Sequence, residues 1–500
     1  MAAGTEPTSK DNVYQIGTAE ELIWFRDSVN SGAIPTSSDA RLTADIDLTD
    51  NGQPRHWQPI GGIFDSVERY YSGTFDGNGY SVKGYTVTTD DIVEGYEIGR
   101  TCAAGGFFGI ITGGATIKRL TLFGDVKAVD PPYIEIYAGG FVGRIVNGTI
   151  INCTYAGTGV SATNSNSYLM VYAGGFIGYG SGEIINCVYS GSGDVSGSKA
   201  GGFVGNGTSL IENCVYSGSG NVIGTSVAGG IAGSAGYHVR NCVYSGTGNV
   251  IASNYAGGIL GEHGNGVTID NCVYSGTGTV TANSGKAGGI VGESYGVSNS
   301  ITNCAWNKDA ASKDVGTEID PSSKITGVVS LDAEEFAKIV TTVILDDTEV
   351  AAGASTEVKF ITFPGKPDNL ADYITVTSAD TDDQSVATAS FENENITVKG
   401  LKEGITELLA SVEINTYDFA NRTISTTIPP TAADLSSMVT VSSAPPTPET
   451  PTDPDTPTDP ETPPTPDTHK PRSGGSSGCD TGTAAIALLA LLPLFYKKKR

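Results

Sequence analysis

The chain has 500 residues, room for two or three domains, and its 67 glycines follow no Gly-X-Y period, which excludes collagen. It carries 29 basic against 55 acidic side chains, a net charge of -26, with the acid spread out and no basic patch before the last residues. That balance excludes nucleic acid as a partner.

Taken in chain order, residues 1–103 read as an N-terminal cap followed by the first coils of a repeat. MAAGTEPTSK has no basic region followed by an apolar run, so an N-terminal signal peptide is absent from this sequence. Thr18 and Glu21 have capping-box spacing, and Leu22, Phe25 and Val29 fall on one face, which predicts a short helix. RLTADIDLTD, HWQPIGG and YYSGTFDGNGYSVKGYTV alternate as short strands, with DGNG a turn.

Residues 104–310 repeat. One marker, AGG with a following apolar pair, begins at Ala104, Ala138, Ala173, Ala200, Ala228, Ala256 and Ala287. The other is a cysteine, at Cys153, Cys187, Cys214, Cys242, Cys272 and Cys304. A period near 28 residues marks a solenoid, and the glycine and β-branched content argues against a helical one. Pieces of four to six residues bury little alone, but stacked in parallel about 4.8 Å apart each pairs with its counterparts above and below. The expected fold is all-β: a right-handed parallel β-helix followed by a small immunoglobulin-like β-sandwich.

In residues 311–342 the repeat fades into a C-terminal cap and connector, with a short helix at DAEEFAKI capped by Asp332 and Glu335. Residues 343–430 hold strand-like pieces, among them VKFITF, YITVTS and NITVKGL, and form the expected sandwich. Residues 431–475, ambiguous as far as 445, become a proline- and threonine-rich linker. Residues 476–500 carry Cys479, an apolar run from Ala484 to Tyr496 and a basic end, Lys497 to Arg500. The run is too short for an ordinary span, so this unit reads as a sorting or membrane-anchor segment.

The six repeat cysteines are too far apart in sequence for zinc-type pairs, and stacking puts them in one column. The favoured reading is small semi-buried thiols that fill the column, turned inward by a bend at the preceding asparagine; inter-coil disulfides and metal or catalytic roles are the alternatives. Asn152, Asn186, Asn213, Asn241, Asn271 and Asn303 form a matching structural ladder, and the valine after the cysteine is assigned to the core. Tyr189, Tyr216, Tyr244, Tyr274 and Trp306 recur two residues after the cysteines, like Tyr155. They either stack between coils or form an exposed strip for glycan contact. No phosphate-binding loop or metal-ligand spacing occurs, so no cofactor is implied. Glu262 and Glu293 share a phase, with His263 nearby, and keep a polysaccharide-degrading lyase or glycoside hydrolase as the alternative function.

AGGFVG, AGGFIG and AGGIVG, each followed by an I-x-N-C strand, resemble the GLUG-motif repeats of bacterial surface proteins. The phrases YQIGTAEELIWF, LTADIDLTD, WQPIGG and YSGTFDGNGYSVKG resemble the usual opening of that group, so the likeness covers roughly residues 13–310. SVATASFENENITVKGLKEGITEL is similar, more loosely, to bacterial immunoglobulin-like modules. SGCDTG with ALLALLPL resembles the cysteine-containing C-terminal sorting segments of Synergistes-type bacteria, with Cys479 as the processing or anchor residue. These resemblances imply an exported, cell-surface or outer-membrane protein of structural or adhesive function. Its expected partners are glycans or surface proteins, and a membrane through the tail; self-association is left open.

Overall fold

The computed structural model describes residues 4–97, 100–129, 135–166, 169–207, 209–236, 238–317 and 320–443. The proline-rich run from 446, the sorting segment and Cys479 lie outside the described residues. The chain divides into two units, residues 1–445 and 446–500.

Stacked parallel strands form a β-solenoid of about eight turns over residues ~40–306. One coil shows the plan: Val195–Gly201, Val204–Gly207, Leu210–Glu212 and Val215–Tyr216 are strands separated by corners. Each piece pairs in register with the coils on either side, as in Ala173, Ala200, Ala228, Ala256 and Ala287. Ile184, Ile211, Val239, Ile269 and Ile301 form a second aligned row. Strands this short are stable only because the backbone donors and acceptors of each find partners in the next coil.

The core is a set of columns running along the solenoid. Phe141, Phe176 and Phe203 stack at 4.7 and 4.9 Å and continue as Ile231, Ile259 and Ile290, all fully buried. At one end the helix Ala19–Ser31 adds Leu22, Phe25 and Val29 to the same core. Its capping box is formed: Glu21 N–H donates to Thr18 Oγ1 at 3.2 Å and Thr18 N–H to Glu21 Oε2 at 3.0 Å. The second short helix, Ala333–Phe336, has the same device from Asp332 and Glu335.

The repeated asparagine makes one corner of each coil. Asn152, Asn186, Asn213, Asn241, Asn271 and Asn303 all have φ between 48 and 54°, the left-handed region that asparagine tolerates best after glycine. That turn breaks strand alternation. The cysteine after it faces inward, the next residue faces outward, and the tyrosine faces inward again.

The outward residue corrects the expectation that this valine belongs to the solenoid core. Val243, Val273 and Ala305 are buried in a separate cluster with Leu331, Phe336, Ile339 and Phe419. They are covered from outside by the C-terminal part of the chain.

That part contains a four-stranded sheet ordered Thr348–Ala351, Thr431–Ser442, Gly404–Ile414 and Ile374–Thr381, and a three-stranded sheet ordered Ser355–Glu357, Asn395–Gly400 and Ala387–Glu392. Both sheets contribute to one apolar core, with Val376, Ile396, Val398 and Leu408 among its members. The β module does not end at 430. Thr431–Ser442 is a paired strand, bonded to Gly404–Ile414 along its whole length. Its alternation is carried by Ala433, Leu435, Val439 and Val441 among serines and threonines, too weak a pattern to read beside the proline-rich run.

The module lies against the asparagine corners. Asn152 Nδ2 donates to Ser436 Oγ at 2.7 Å, Asn303 Nδ2 to the Tyr417 carbonyl at 2.8 Å, and Thr342 Oγ1 to the Asn241 carbonyl at 2.6 Å. One coil earlier the corner position is Arg119, also left-handed at φ 53°. Its guanidinium donates Nε to Asp76 Oδ1 at 3.0 Å and pairs with Glu407 of the module. Burial would raise the Asp76 carboxyl, but Arg119 more than offsets it and holds Asp76 below the usual carboxylate range. Arg119→Ala leaves Glu407 buried without its guanidinium, while Asp76 keeps Arg41 at 3.0 Å and Lys118 at 3.7 Å, so a loss of about 3 kcal/mol, the low end for breaking a buried pair, is expected. Urea denaturation measures it, and faster proteolysis between residues 311 and 342 reports the released module.

Candidate functional site

The sequence placed candidate contacts on the aromatic column, and the structure puts that column inside. Tyr189, Tyr216, Tyr244 and Tyr274 have no exposed surface, and their rings stack at 4.5–4.7 Å. Each hydroxyl donates to the carbonyl of the glycine four residues on: Gly193, Gly220, Gly248 and Gly278, at 2.9–3.3 Å. Trp306 continues the column and is half-buried against the same core. The second glycine of AGG exists for these rings: a Cβ on Gly175 would sit 2.5 Å from the Tyr189 ring and 2.0 Å from the Gly202 carbonyl. The glycan-contact reading of the four tyrosines is therefore corrected, since a sugar ring cannot reach them.

Cys153, Cys187, Cys214, Cys242, Cys272 and Cys304 are free and buried. Each thiol donates across the asparagine corner to the carbonyl two residues back, at 3.1–3.3 Å. Burial, reinforced by neighbouring thiols, holds Cys153, Cys214 and Cys272 well above the ordinary thiol range. Cys187 and Cys242 lie between thiols of the same column and carry the same burial penalty against the thiolate. Access rather than acidity then controls their reactivity. Among the described residues no three His, Cys, Asp or Glu side chains converge as metal ligands. The asparagine ladder is linked as a pair and a run of three, with Nδ2-to-Oδ1 bonds from Asn213 to Asn186, Asn271 to Asn241 and Asn303 to Asn271 at 2.9–3.2 Å.

A second set of side chains lies on the other side of the coil, on two columns that flank the AGG corner and point away from the solenoid core, although Tyr137, Tyr172, Val227, Ser234 and Glu262 in them are buried by their neighbours. One column is Tyr137, Tyr172, Lys199, Val227, Tyr255 and Lys286. The other is Arg144, Tyr179, Asn206, Ser234, Glu262 and Glu293. The corner folds them toward each other. Tyr137, Tyr172 and Tyr179 stack with centroids 4.7–5.8 Å apart. Burial, with help from Glu135, pushes the Tyr172 hydroxyl up to about 12. Further along, Lys199 Nζ meets Glu262 Oε1 at 2.5 Å, and Lys286 Nζ lies 4.0 Å from Glu293 Oε1 and 4.8 Å from the Tyr255 ring centroid.

Beside the second column runs an open trough of about 380 Å³, lined by residues that include Arg144, Tyr179, Asn206, Gly236, Gly264 and Tyr295. Its floor is backbone: a Cβ on Gly207 would fall 1.9 Å from the Gly180 carbonyl. Tyr295 is 61% exposed, and its ring overhangs Gly264. Glu262 and Glu293, the acids singled out in the sequence, are register neighbours on adjacent coils, and each faces its own lysine. His263, next to Glu262, is wholly buried; its Nδ1 is 3.2 Å from the Gly264 carbonyl and its Nε2 has no partner among the described residues. The trough tyrosines were not singled out in the sequence. The residue before AGG is tyrosine or lysine at 137, 172, 199, 255 and 286 but alanine at 103 and valine at 227, and it marks the neighbouring column; Tyr179 and Tyr295 recur at no fixed place in the repeat and so left no signal.

No protein-family model matches the chain, and no curated protein matches it.

Two measurements check this geometry. Iodoacetamide applied to the native protein should leave Cys102 and the six column cysteines unmodified, whereas all eight cysteines should react in denaturant, read by peptide mass mapping. Native modification of Cys187 or Cys242 would contradict the burial. Burial also holds the His263 pKa below its ordinary value, so the unfolded chain takes up the proton first as pH falls. The contribution of neutral His263 is then complete above about pH 6.5 and drains away below it. The urea midpoint of the wild type should fall more steeply from about pH 7 to about pH 5 than that of His263→Ala.

Proposed function

We propose that this is a cell-surface structural or adhesive protein that presents its β-helix on a proline- and threonine-rich stalk and binds glycans or other surface components. The observation that carries the reading is the division of side chains within each coil. The repeated residues are spent on the core and its corners, while the variable ones collect on the outward columns beside an open trough. The GLUG-like phrases support the surface assignment, and the sorting-like tail with Cys479 supports attachment to a membrane. We read the C-terminal module as immunoglobulin-like, its two sheets sharing one core.

A polysaccharide-degrading activity keeps one observation in its favour, the adjacent Glu262 and Glu293. Hydrolysis by two carboxylates needs acid and base in contrasting environments. Here both face a lysine, and this likeness favours binding over turnover.

Antibody labelling of intact cells that produce the protein should match labelling after permeabilisation. Labelling seen only after permeabilisation would overturn the surface reading. In parallel, purified protein should release no reducing ends or unsaturated products from polysaccharide. Release abolished by Glu262→Gln or Glu293→Gln would establish the enzyme instead.

A further inference from the structure

We infer that the trough beside the AGG corner is a binding site for an extended, uncharged polysaccharide, with Tyr295 and Tyr179 as the stacking rings. The inference rests on the adhesive reading above and names its site and ligand class.

The shape favours a linear ligand. The lining runs from the coil of Arg144 to that of Tyr295, five coil steps, or about 24 Å at the usual strand spacing. In two of its coils Gly180 and Gly207 keep the floor low, where a Cβ would strike the preceding coil's backbone. An extended peptide could lie in such a trough only by adding backbone hydrogen bonds. The strands that form the floor are already paired to coils on both sides, so β-augmentation has no free edge to use. Recognition falls to side chains: flat rings and short polar groups, which suit pyranose faces and hydroxyls.

The rings are placed for this. Tyr295 stands out from the last coil with no structural burial to explain it, and it leans over Gly264 rather than packing into the core. Tyr179 rests against Tyr137 and Tyr172, which fix its ring plane before any ligand arrives. Asn206 follows Tyr179 on its column, one coil on.

Charge selects among glycans. The flanking columns hold Arg144, Lys199 and Lys286 against Glu262 and Glu293, with Glu135 beside Tyr137, so cations and acids balance. Lys199 and Lys286 are committed to Glu262 and Glu293. An acidic polysaccharide would meet no uncommitted cluster of cations, and it would approach a chain of net charge -26. A neutral chain has neither penalty.

The test is affinity electrophoresis of the full chain in gels cast with hydroxyethylcellulose, xyloglucan, galactomannan or polygalacturonate. At least one neutral gel should retard the protein, and polygalacturonate should not. Tyr295→Ala should weaken the retardation about tenfold, the loss expected when one exposed stacking ring is removed. Tyr295 is exposed, so the variant should keep the wild-type melting temperature. Phe391→Ala, which removes an exposed ring on the C-terminal module, should migrate like wild type. No retardation in any neutral gel, retardation by polygalacturonate alone, or retardation indifferent to Tyr295→Ala would each overturn the inference. All three would leave the surface-labelling result untouched, so failure of the site and failure of the surface reading are separable.

Discussion

The left-handed asparagine at one corner of each coil is the constraint on which the rest of the molecule depends. A strand passing straight through this position would put cysteine and tyrosine on the same face as before and leave the stack without its largest side chains. With φ near +50° the chain turns, the thiol closes back over the corner, and the ring two residues later enters the core. Asparagine pays little for that conformation, and its amide is then free to bond along the column or outward.

Outward bonding gives the corner a second role. In the middle and later coils the asparagines are linked to one another, Asn152 holds the C-terminal module instead, and Asn303 does both. The same face carries the outward valines that pack under Leu331, Phe336 and Phe419. One side of the solenoid is therefore closed by the chain itself, and the trough lies on the side that remains open. Arg119, in place of asparagine one coil earlier, ties the two parts through opposite charges with little access to water.

Much of this could be read from the sequence because the repeat states it many times over. The strand pieces, the coil period, the capping boxes at Thr18 and Asp332 and the column of asparagines follow from spacing and residue type. The facing of the tyrosines did not follow, because period-2 alternation fails at a left-handed residue and spacing alone does not say on which side it resumes. The valine was misread for a related reason: burial beneath a distant module leaves the same apolar signature as burial in the coil. The strand Thr431–Ser442 was hidden by its serines and threonines. The trough was hidden because its residues vary from coil to coil, and a search for repetition passes over variation.

The way the last strand enters its sheet has a mechanical consequence. Thr431–Ser442 lies between Thr348–Ala351 and Gly404–Ile414 and is the last described element before the proline-rich run. Tension drawn along the chain beyond residue 445 would pull this strand lengthwise. Its hydrogen bonds to both neighbours would then be strained together, in shear, instead of parting one after another as in a zipper. Failure under force would need many bonds to break at once, and the rate of that event sets how long such a joint holds. The placement of one serine-rich strand thus makes the module a clamp between the solenoid and whatever pulls on the tail.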